Sequence, residues 1–382
     1  MDFTFTDEQE LLVESIKEYA ARYFDEESVR QMYANHQITL EAAMAYREAG
    51  FMHMGLPEEI GGIPTDKLTL TLMCEQLHYH TGCVLPFQTD INSITDVTDF
   101  GTKEQAELIM KAIDTPSTAV AATAISEPGA DNNAMTCHTT AQGDGTYLLN
   151  GQKTWVTIGE YAQYAVVIAK DESPAYENKN YSLWLVPSDA PGYTRASLHK
   201  IGQEIVPFCD CFFDNVVLTE DQRIGPAGEG WKLLMKKFEF ERCLVVAQAL
   251  GQAQAIMDDA GAYVNDRICF GKPIGKISAI QQHLVEMEVV LQNVRTQLYK
   301  TAWMLDQGQS IRLECALLKY YACPQLVRVA DLALKIFAAI GYTDEIRAGR
   351  IWKDIRGYEM AGGTPEIMEY IAGRQLVKKY QR

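Results

Sequence analysis

Basic residues are scarce. Lys and Arg number 34 against 51 Asp and Glu, a formal net charge of −17 over 382 residues. A polyanion-binding surface needs clustered Lys and Arg, so no nucleic-acid partner is expected. Long apolar runs are missing too. None approaches the roughly 18 residues of a spanning helix, and no membrane segment is expected. The opening stretch, MDFTFTDEQELL, lacks the basic n-region and apolar h-region of an export signal. The nine cysteines are scattered, odd in number and without framework spacing, so reduced thiols in a cytoplasmic protein are expected rather than disulfides. Their one close pair, Cys209 and Cys211, falls in an alternating segment and shares one strand face. Two thiols cannot complete a four-ligand zinc site, and no metal is expected. Internal repeats and low-complexity segments are absent.

What is present divides into three zones. Residues 1–116 read as helices. Phe5, Leu11, Leu12, Ile16 and Tyr19 recur at helical spacing behind Thr6 as N-cap, with Gln9 completing a capping box. A Pro/Gly break at Leu56–Gly62 precedes a helix through Leu68, Leu72 and Leu77. Residues 117–222 alternate strand-like runs with turn signals. The turns are expected at Gly143-Asp144-Gly145, Asn150-Gly151, Ala190-Pro191-Gly192 and Asp214-Asn215, which predicts a small antiparallel β-domain. Residues 223–382 are helical again, with long periodic segments over 229–266, 278–306 and 310–340 and a shorter one near 365–380. Their lengths and short loops predict an antiparallel four-helix bundle. Helices, a β-insert, then a bundle is neither a Rossmann unit nor a TIM barrel.

Five runs carry residues suited to chemistry. Asn150–Gly159 opens on a tight Asn-Gly turn and places Trp155 and Thr157 at the same parity, an indole beside a hydroxyl, as a flat heteroaromatic ligand needs. A tryptophan in a sandwich core explains the same run. Ala124–Asn133 is a Pro-Gly turn rich in short polar side chains, including Ser126. Phe238–Arg242 puts Glu241 among Phe240, Cys243, Leu244 and Val245. A carboxylate so placed is desolvated and its pKa raised, as a base acting on a carbon acid requires; an exposed Glu paired on the next turn is the plainer account. Asp266–Gly275 reads as a helix stopping at a Gly with Arg267 in its last turn, a C-cap or an arginine aimed at a phosphate. Ala361–Ile367 sets Pro365 at a helix start behind Thr364, with Gly362 and Gly363 letting backbone amides approach a ligand.

Together, in this order, the runs resemble the acyl-CoA dehydrogenase family over essentially the whole chain. The look is nearest its branch of crotonobetainyl-CoA reductases and enteric relatives, through the FERxL and GGTxEIM patterns. The resemblance implies FAD between the β-domain and the bundle, with Trp155 over the isoalloxazine, Thr157 at N5 and Ser126 at the pyrimidine edge. It implies Thr364 and Glu366 near the pyrophosphate and adenosine end, and Arg267, Phe270, Lys335 and Gly341 at the FAD of a neighbouring subunit, hence a homotetramer. It implies Arg242 along the thioester arm, Glu239 near the pantetheine, and a Gly362–Gly363 loop amide donating to the thioester carbonyl, whose polarisation makes the α-proton removable. The reaction implied is FAD-dependent oxidation of an acyl-CoA to the 2-enoyl-CoA, or the reverse reduction of an enoyl-CoA. Electrons would pass through electron-transfer flavoprotein. A carrier-protein thioester is a lesser variant. A non-catalytic or regulatory member of the same fold, with weakened FAD binding, is the alternative.

Departures from the family pattern sharpen one role. Most members carry the base immediately before the Gly-Thr pair, where this chain has Gly362. A minority carry it on the helix, where this chain has Glu241, so Glu241 is the expected base and Glu359 its nearest rival. The loop after Ala130 is two residues shorter than usual. Lys335-Ile336-Phe337-Ala338-Ala339-Ile340-Gly341 stands where the family has Gln-x-x-Gly-Gly-x-Gly, and Ser278 replaces a frequent Gln.

Overall fold

The computed structural model describes residues 4–129, 135–172 and 181–381. Six helices come first: α1 (Asp7–Tyr23), α2 (Glu26–Ala34), α3 (Leu40–Glu48), α4 (Lys67–Thr81), α5 (Phe87–Phe100) and α6 (Lys103–Ile113). Side-chain caps start five of them. Thr6 and Thr102 form capping boxes with Gln9 and Gln105, while Asp25, Thr39 and Asp66 accept from first-turn amides.

Strands β1 (Ala119–Ala124), β2 (His138–Ala141), β3 (Thr146–Thr157), β4 (Ala162–Glu172), β5 (Tyr181–Pro187), β6 (Tyr193–Leu198), β7 (Phe208–Thr219) and β8 (Arg223–Ile224) form one sheet. The order is β6-β7-β3-β2-β4-β5-β8, with β1 also on β4. Asp90 of α5 ties the helices to this sheet by accepting the Val120 and Ala121 amides at 2.8–3.0 Å.

The chain ends in α7 (Gly230–Asp266), a hairpin of β9 (Ile268–Cys269) and β10 (Lys272–Pro273), then α8 (Ser278–Asp306), α9 (Arg312–Phe337), α10 (Ala348–Gly357) and α11 (Pro365–Lys379). The 37-residue α7 is the axis of the molecule, packed against α4, α5, α8, α9 and α10. Its middle is buried on every side from Arg242 to Ala253, as expected of a helix inside a bundle. At Gly251 a Cβ would lie 2.2 Å from the Glu75 carbonyl oxygen, so α4 and α7 meet there backbone to backbone.

Helices, a β-region and a helical bundle follow one another as the sequence predicts. The details differ in four places. The sheet is mixed, because β1 and β2 each pair with β4 in parallel. Asn150-Gly151 and Asp214-Asn215 are not turns. They face each other inside β3 and β7 at an irregularity in the ladder, where the Asn150 side chain accepts the Asn215 amide at 2.8 Å. Helix α7 ends at Asp266, where the periodic segment 229–266 ends, so Arg267 is its C-cap rather than part of a last turn before a glycine, and Gly271 serves the β9–β10 hairpin instead. Helix α10, between two expected helices, has no counterpart in the sequence reading.

Where α9 ends, Ala338 adopts φ 57 and ψ −134, a region that is essentially glycine's. This position is one where the family pattern has Gly. Ala338→Gly should therefore raise stability by about 1 kcal/mol, since strain of roughly 1–3 kcal/mol exceeds glycine's entropic cost of about 0.5–1 kcal/mol. Thermal unfolding of the pair of proteins measures it.

Candidate active site

A cavity of about 1390 Å³ opens between α5, α7, the β3 edge and the loop before α11, more than the usual 300–1,000 Å³ of a single-ligand pocket. Trp155 is 58% exposed on its wall, and Thr157 lines the same wall. The backbone explains this exposure. The β3–β7 register slips between Lys153 and Val156, and Trp155 takes φ 55. In a regular strand Lys153 would share a face with Trp155. The bulge turns the indole outward and sends the lysine in.

Lys153 is fully buried. Its ammonium donates to Glu127 Oε1 at 2.8 Å and to the Ile125 carbonyl at 2.9 Å. Glu127 also accepts the Thr136 amide at 2.5 Å and the Cys137 amide at 3.0 Å. Burial pushes this carboxyl up, but Lys153 and the Thr136 amide more than offset it and hold it below the usual range. The Thr154 amide bonds the Ser126 carbonyl at 2.8 Å. The Ser126 loop and the Trp155 strand, separate in sequence, are thus clamped together as one wall. Ala130–Asn133 lie outside the described residues.

The facing wall comes from α7 and the glycine loop. Glu241 lines the cavity, and desolvation pushes its carboxyl up despite the cations Arg242, Lys319 and Lys237 nearby. Arg242 Nε donates to the Gly362 carbonyl at 3.2 Å, and buried Lys319 Nζ donates to those of Gly363 at 2.6 Å and Glu359 at 3.2 Å. In a planar trans peptide the N–H points opposite to the C=O. Two cations that hold the Gly362 and Gly363 carbonyls therefore aim the next two amides the other way. The amides of Gly362, Gly363 and Thr364 have no acceptor among the described residues. With φ 64 and 103, the glycines make an open cradle of donors at the start of α11, a form suited to an anion or a polarised carbonyl.

The structure thus brings Ser126, Trp155, Thr157, Glu241, Arg242, Gly362, Gly363 and Thr364 to one cavity. Glu239, on the same helix, is not on its lining; burial raises its pKa, with Arg312 and Arg242 opposing. Arg267, Phe270, Lys335, Gly341 and Glu366 lie elsewhere, Phe270 94% exposed at the tip of the β9–β10 hairpin. Glu359, the rival base, pairs with Arg356 and is also off the lining. A second carboxyl, Asp96, does line the cavity. Burial pushes it up to about 7, Thr123 donates to one oxygen at 3.1 Å, and the other is sealed inside the protein.

Sequence reasoning missed Lys153, Glu127 and Lys319. A lysine in a strand or on a helix reads as a surface residue, and no local pattern marks these two as buried. Glu127 sat in a run already singled out, but for its turn rather than its charge.

A helical domain, a β-domain with an exposed indole and a helical bundle meet at one cavity that presents a carboxyl and a glycine cradle, the makings of an enzyme cleft for a flat ligand and a polarised carbonyl. Family models agree along the chain: acyl-CoA dehydrogenase N-terminal domain at residues 6–113, middle domain at 122–216 and C-terminal domain at 228–377. The chain belongs to the acyl-CoA dehydrogenase family. It is 38% identical over 385 residues to the probable acyl-CoA dehydrogenase YdiO of Escherichia coli K12, covering all of both chains. Among solved structures it resembles an acyl-CoA dehydrogenase from Slackia heliotrinireducens (32% identity, TM-score 0.88, 100% and 99% of the two chains covered). It also resembles butyryl-CoA dehydrogenase from Megasphaera elsdenii (25% identity, TM-score 0.91, 99% and 100% covered). No helix of the described residues is long and apolar enough to cross a membrane.

Proposed function

We propose that the chain interconverts an acyl-CoA and its 2-enoyl-CoA, with FAD as cofactor and Glu241 as the group that moves the α-proton. The observation that carries this reading is a desolvated carboxyl on the same cavity as an exposed indole and a cradle of unpartnered amides.

The residues fit a flavin. Trp155 offers a flat face, Thr157 a hydroxyl on the same wall, and Ser126 a polar neighbour clamped to that strand. FAD, when bound, takes up or returns the β-hydrogen as hydride. The protein's part is positional and acid–base. The glycine-loop amides polarise the thioester carbonyl and lower the cost of the α-carbanion. Glu241 takes the α-proton in oxidation and returns it in reduction. Arg242 holds the Gly362 end of the loop. Electrons are exchanged with electron-transfer flavoprotein.

Arg267 lies 26 positions beyond Glu241, just past the end of α7, or roughly 39 Å at the helical rise, and is off the cavity lining. Family resemblance implies the role proposed for it, a contact to the FAD of another copy in a homotetramer. Arg267→Ala should loosen FAD and assembly together. Full flavin occupancy at unchanged mass in light scattering would refute the cross-subunit role.

A yellow purified protein, bleached anaerobically by an acyl-CoA, is the expected result. A colourless protein that cannot be reconstituted with FAD would overturn the activity. In the oxidative direction Glu241 must be ionised. Its raised pKa means that kcat/KM falls on acidification at a pH above the ordinary carboxyl value of 4.5. Lys319→Met removes a cation that favours the ionised form, so this limb should move to still higher pH. The loosened loop should also cost about tenfold or more in kcat. Lys319→Arg should restore part of both, read from a pH–rate profile.

A further inference from the structure

Helix α5 turns a polar stripe toward the cavity. Thr89, Ser93, Asp96 and Asp99 all line it, at the spacings that share one helix face. Asp96 is 4% exposed, and its Oδ1 is buried with no hydrogen-bond partner among the described residues. An ionised carboxyl would leave charge on an oxygen that no donor answers, which a low-dielectric interior penalises. The cation facing it from α7, Lys237, donates instead to Asp99 Oδ2 at 2.6 Å.

A proton count describes the other oxygen. The Ser93 hydroxyl reaches the Thr89 carbonyl at 3.1 Å, the Thr123 hydroxyl lies 2.9 Å from Ser93 Oγ, and Thr123 Oγ1 lies 3.1 Å from Asp96 Oδ2. Each hydroxyl has one proton to give, so two protons face three contacts. With Asp96 ionised, Thr123 donates to it and one of the other contacts goes without a proton. With Asp96 protonated, it donates to Thr123, Thr123 to Ser93 and Ser93 to the helix carbonyl, and all three are made. Desolvation pushes the carboxyl the same way, to about 7.

The charged groups facing Asp96 are Lys237 and Glu241 from α7 and Asp99 from its own helix, while β1 offers the Thr123 hydroxyl. Lys67 of α4 faces Lys237 and Asp99 in turn. Lys237 also favours the ionised form of Glu241, so one cation bears on both carboxyls of the cavity. A second carboxylate there would push Glu241 up further and oppose the negative charge that develops on the thioester oxygen.

We propose that Asp96 is held as a neutral carboxylic acid and is a positioning residue for the reaction, acting through Glu241: its proton keeps that part of the cavity at a single negative charge. This rests on the Glu241 reading above and adds a second group to it.

Asp96→Asn mimics the protonated acid, with an amide donor for Thr123 in place of the O–H. Flavin bleaching of the FAD-loaded protein by a panel of saturated straight-chain acyl-CoAs gives the rates. Parent kcat/KM should fall by about threefold or more between about pH 6 and pH 8, the effect of roughly half a pKa unit of added repulsion, and the variant should lack this fall. Two readouts need no activity. The infrared difference between parent and variant should show the C=O band of a protonated carboxyl at about pH 6 that titrates away near 7. Folded Asp96 also keeps its proton between the ordinary 3.8 and about 7, where the unfolded chain has lost it, so the parent should lose stability relative to the variant as pH rises through that window. A difference spectrum without the band, or an alkaline fall that survives in the variant, overturns the proposal. Should Asp96→Asn not fold, Lys237→Met decides. It removes a cation that faces both carboxyls, so the acid and alkaline limbs should both move to higher pH, and an unmoved alkaline limb counts against Asp96. Bleaching by no thioester of the panel overturns the activity and the link to Glu241, while the carboxyl band still reports the Asp96 proton.

Discussion

Glu241→Gln should leave FAD and acyl-CoA binding in place and slow flavin bleaching by roughly 10²–10⁴-fold, the range for loss of an acid–base group. The amide keeps the shape and removes the basicity. Glu359→Gln and Asp96→Asn serve as controls. Glu359 is off the cavity lining and paired with Arg356, and Asp96 has one oxygen held by Thr123 and the other sealed. Near-normal bleaching by Glu241→Gln, with the loss appearing in either control, would move the base. The structure also bears on the exchange Glu241→Gly with Gly362→Glu. A Cβ at Gly362 would sit 3.7 Å from Arg242 Cγ and 3.8 Å from Lys319 Cε and Val245 Cγ2, ordinary contacts in a space that admits a side chain. Its φ of 64 costs a glutamate on the order of 1 kcal/mol or more, so the double variant should recover part of the activity of the single one.

Lys153→Met should destabilise the protein by about 3–5 kcal/mol, the usual result of removing one partner from a buried ion pair. It should also release bound FAD. Glu127 would be left charged and buried, and the clamp between the Ser126 loop and the Trp155 strand would open. Adding Glu127→Gln removes the stranded charge and should return much of the loss. Thermal unfolding with flavin fluorescence reads both effects. A single variant as stable as the parent would show that the pair contributes nothing. The pH dependence follows from sign. Glu127 is held below its ordinary 4.5 in the folded state, so its contribution is complete above that value and is lost on further acidification.

The order of elements was legible because helical and alternating periodicities are strong over long segments, and because caps such as Thr6–Gln9 and Thr364-Pro365 are local chemistry. The turns were less legible. Asn150-Gly151 is a strong hairpin signal, yet here its glycine serves a close approach. At φ 134 its Cβ would lie 2.6 Å from the Cys137 Cα, so the segment leading into β2 decides its use. Parity put Trp155 and Thr157 on one face and would have put Lys153 there too; the bulge, which cannot be read from alternation, sends Lys153 inward and leaves all of Thr154–Thr157 along the cavity. The desolvation of Glu241 was readable from its apolar neighbours on one helix, while a role for Arg242 came only from the family resemblance. Lys319 was not readable, because what makes it matter is the glycine loop, contributed by a distant part of the chain.

The two positions at which a base can reach the same carbon differ mechanically. Glu241 is carried by a helix of 37 residues packed through its middle on all sides, while Gly362 sits in a left-handed two-glycine loop restrained chiefly through two carbonyls. A carboxylate on the loop would move with any displacement of those two carbonyls, whereas one on the helix is fixed by the packing of α7. Under the proposed reading, substitutions at Lys319 and Arg242 should then alter the donor cradle without displacing the Glu241 backbone.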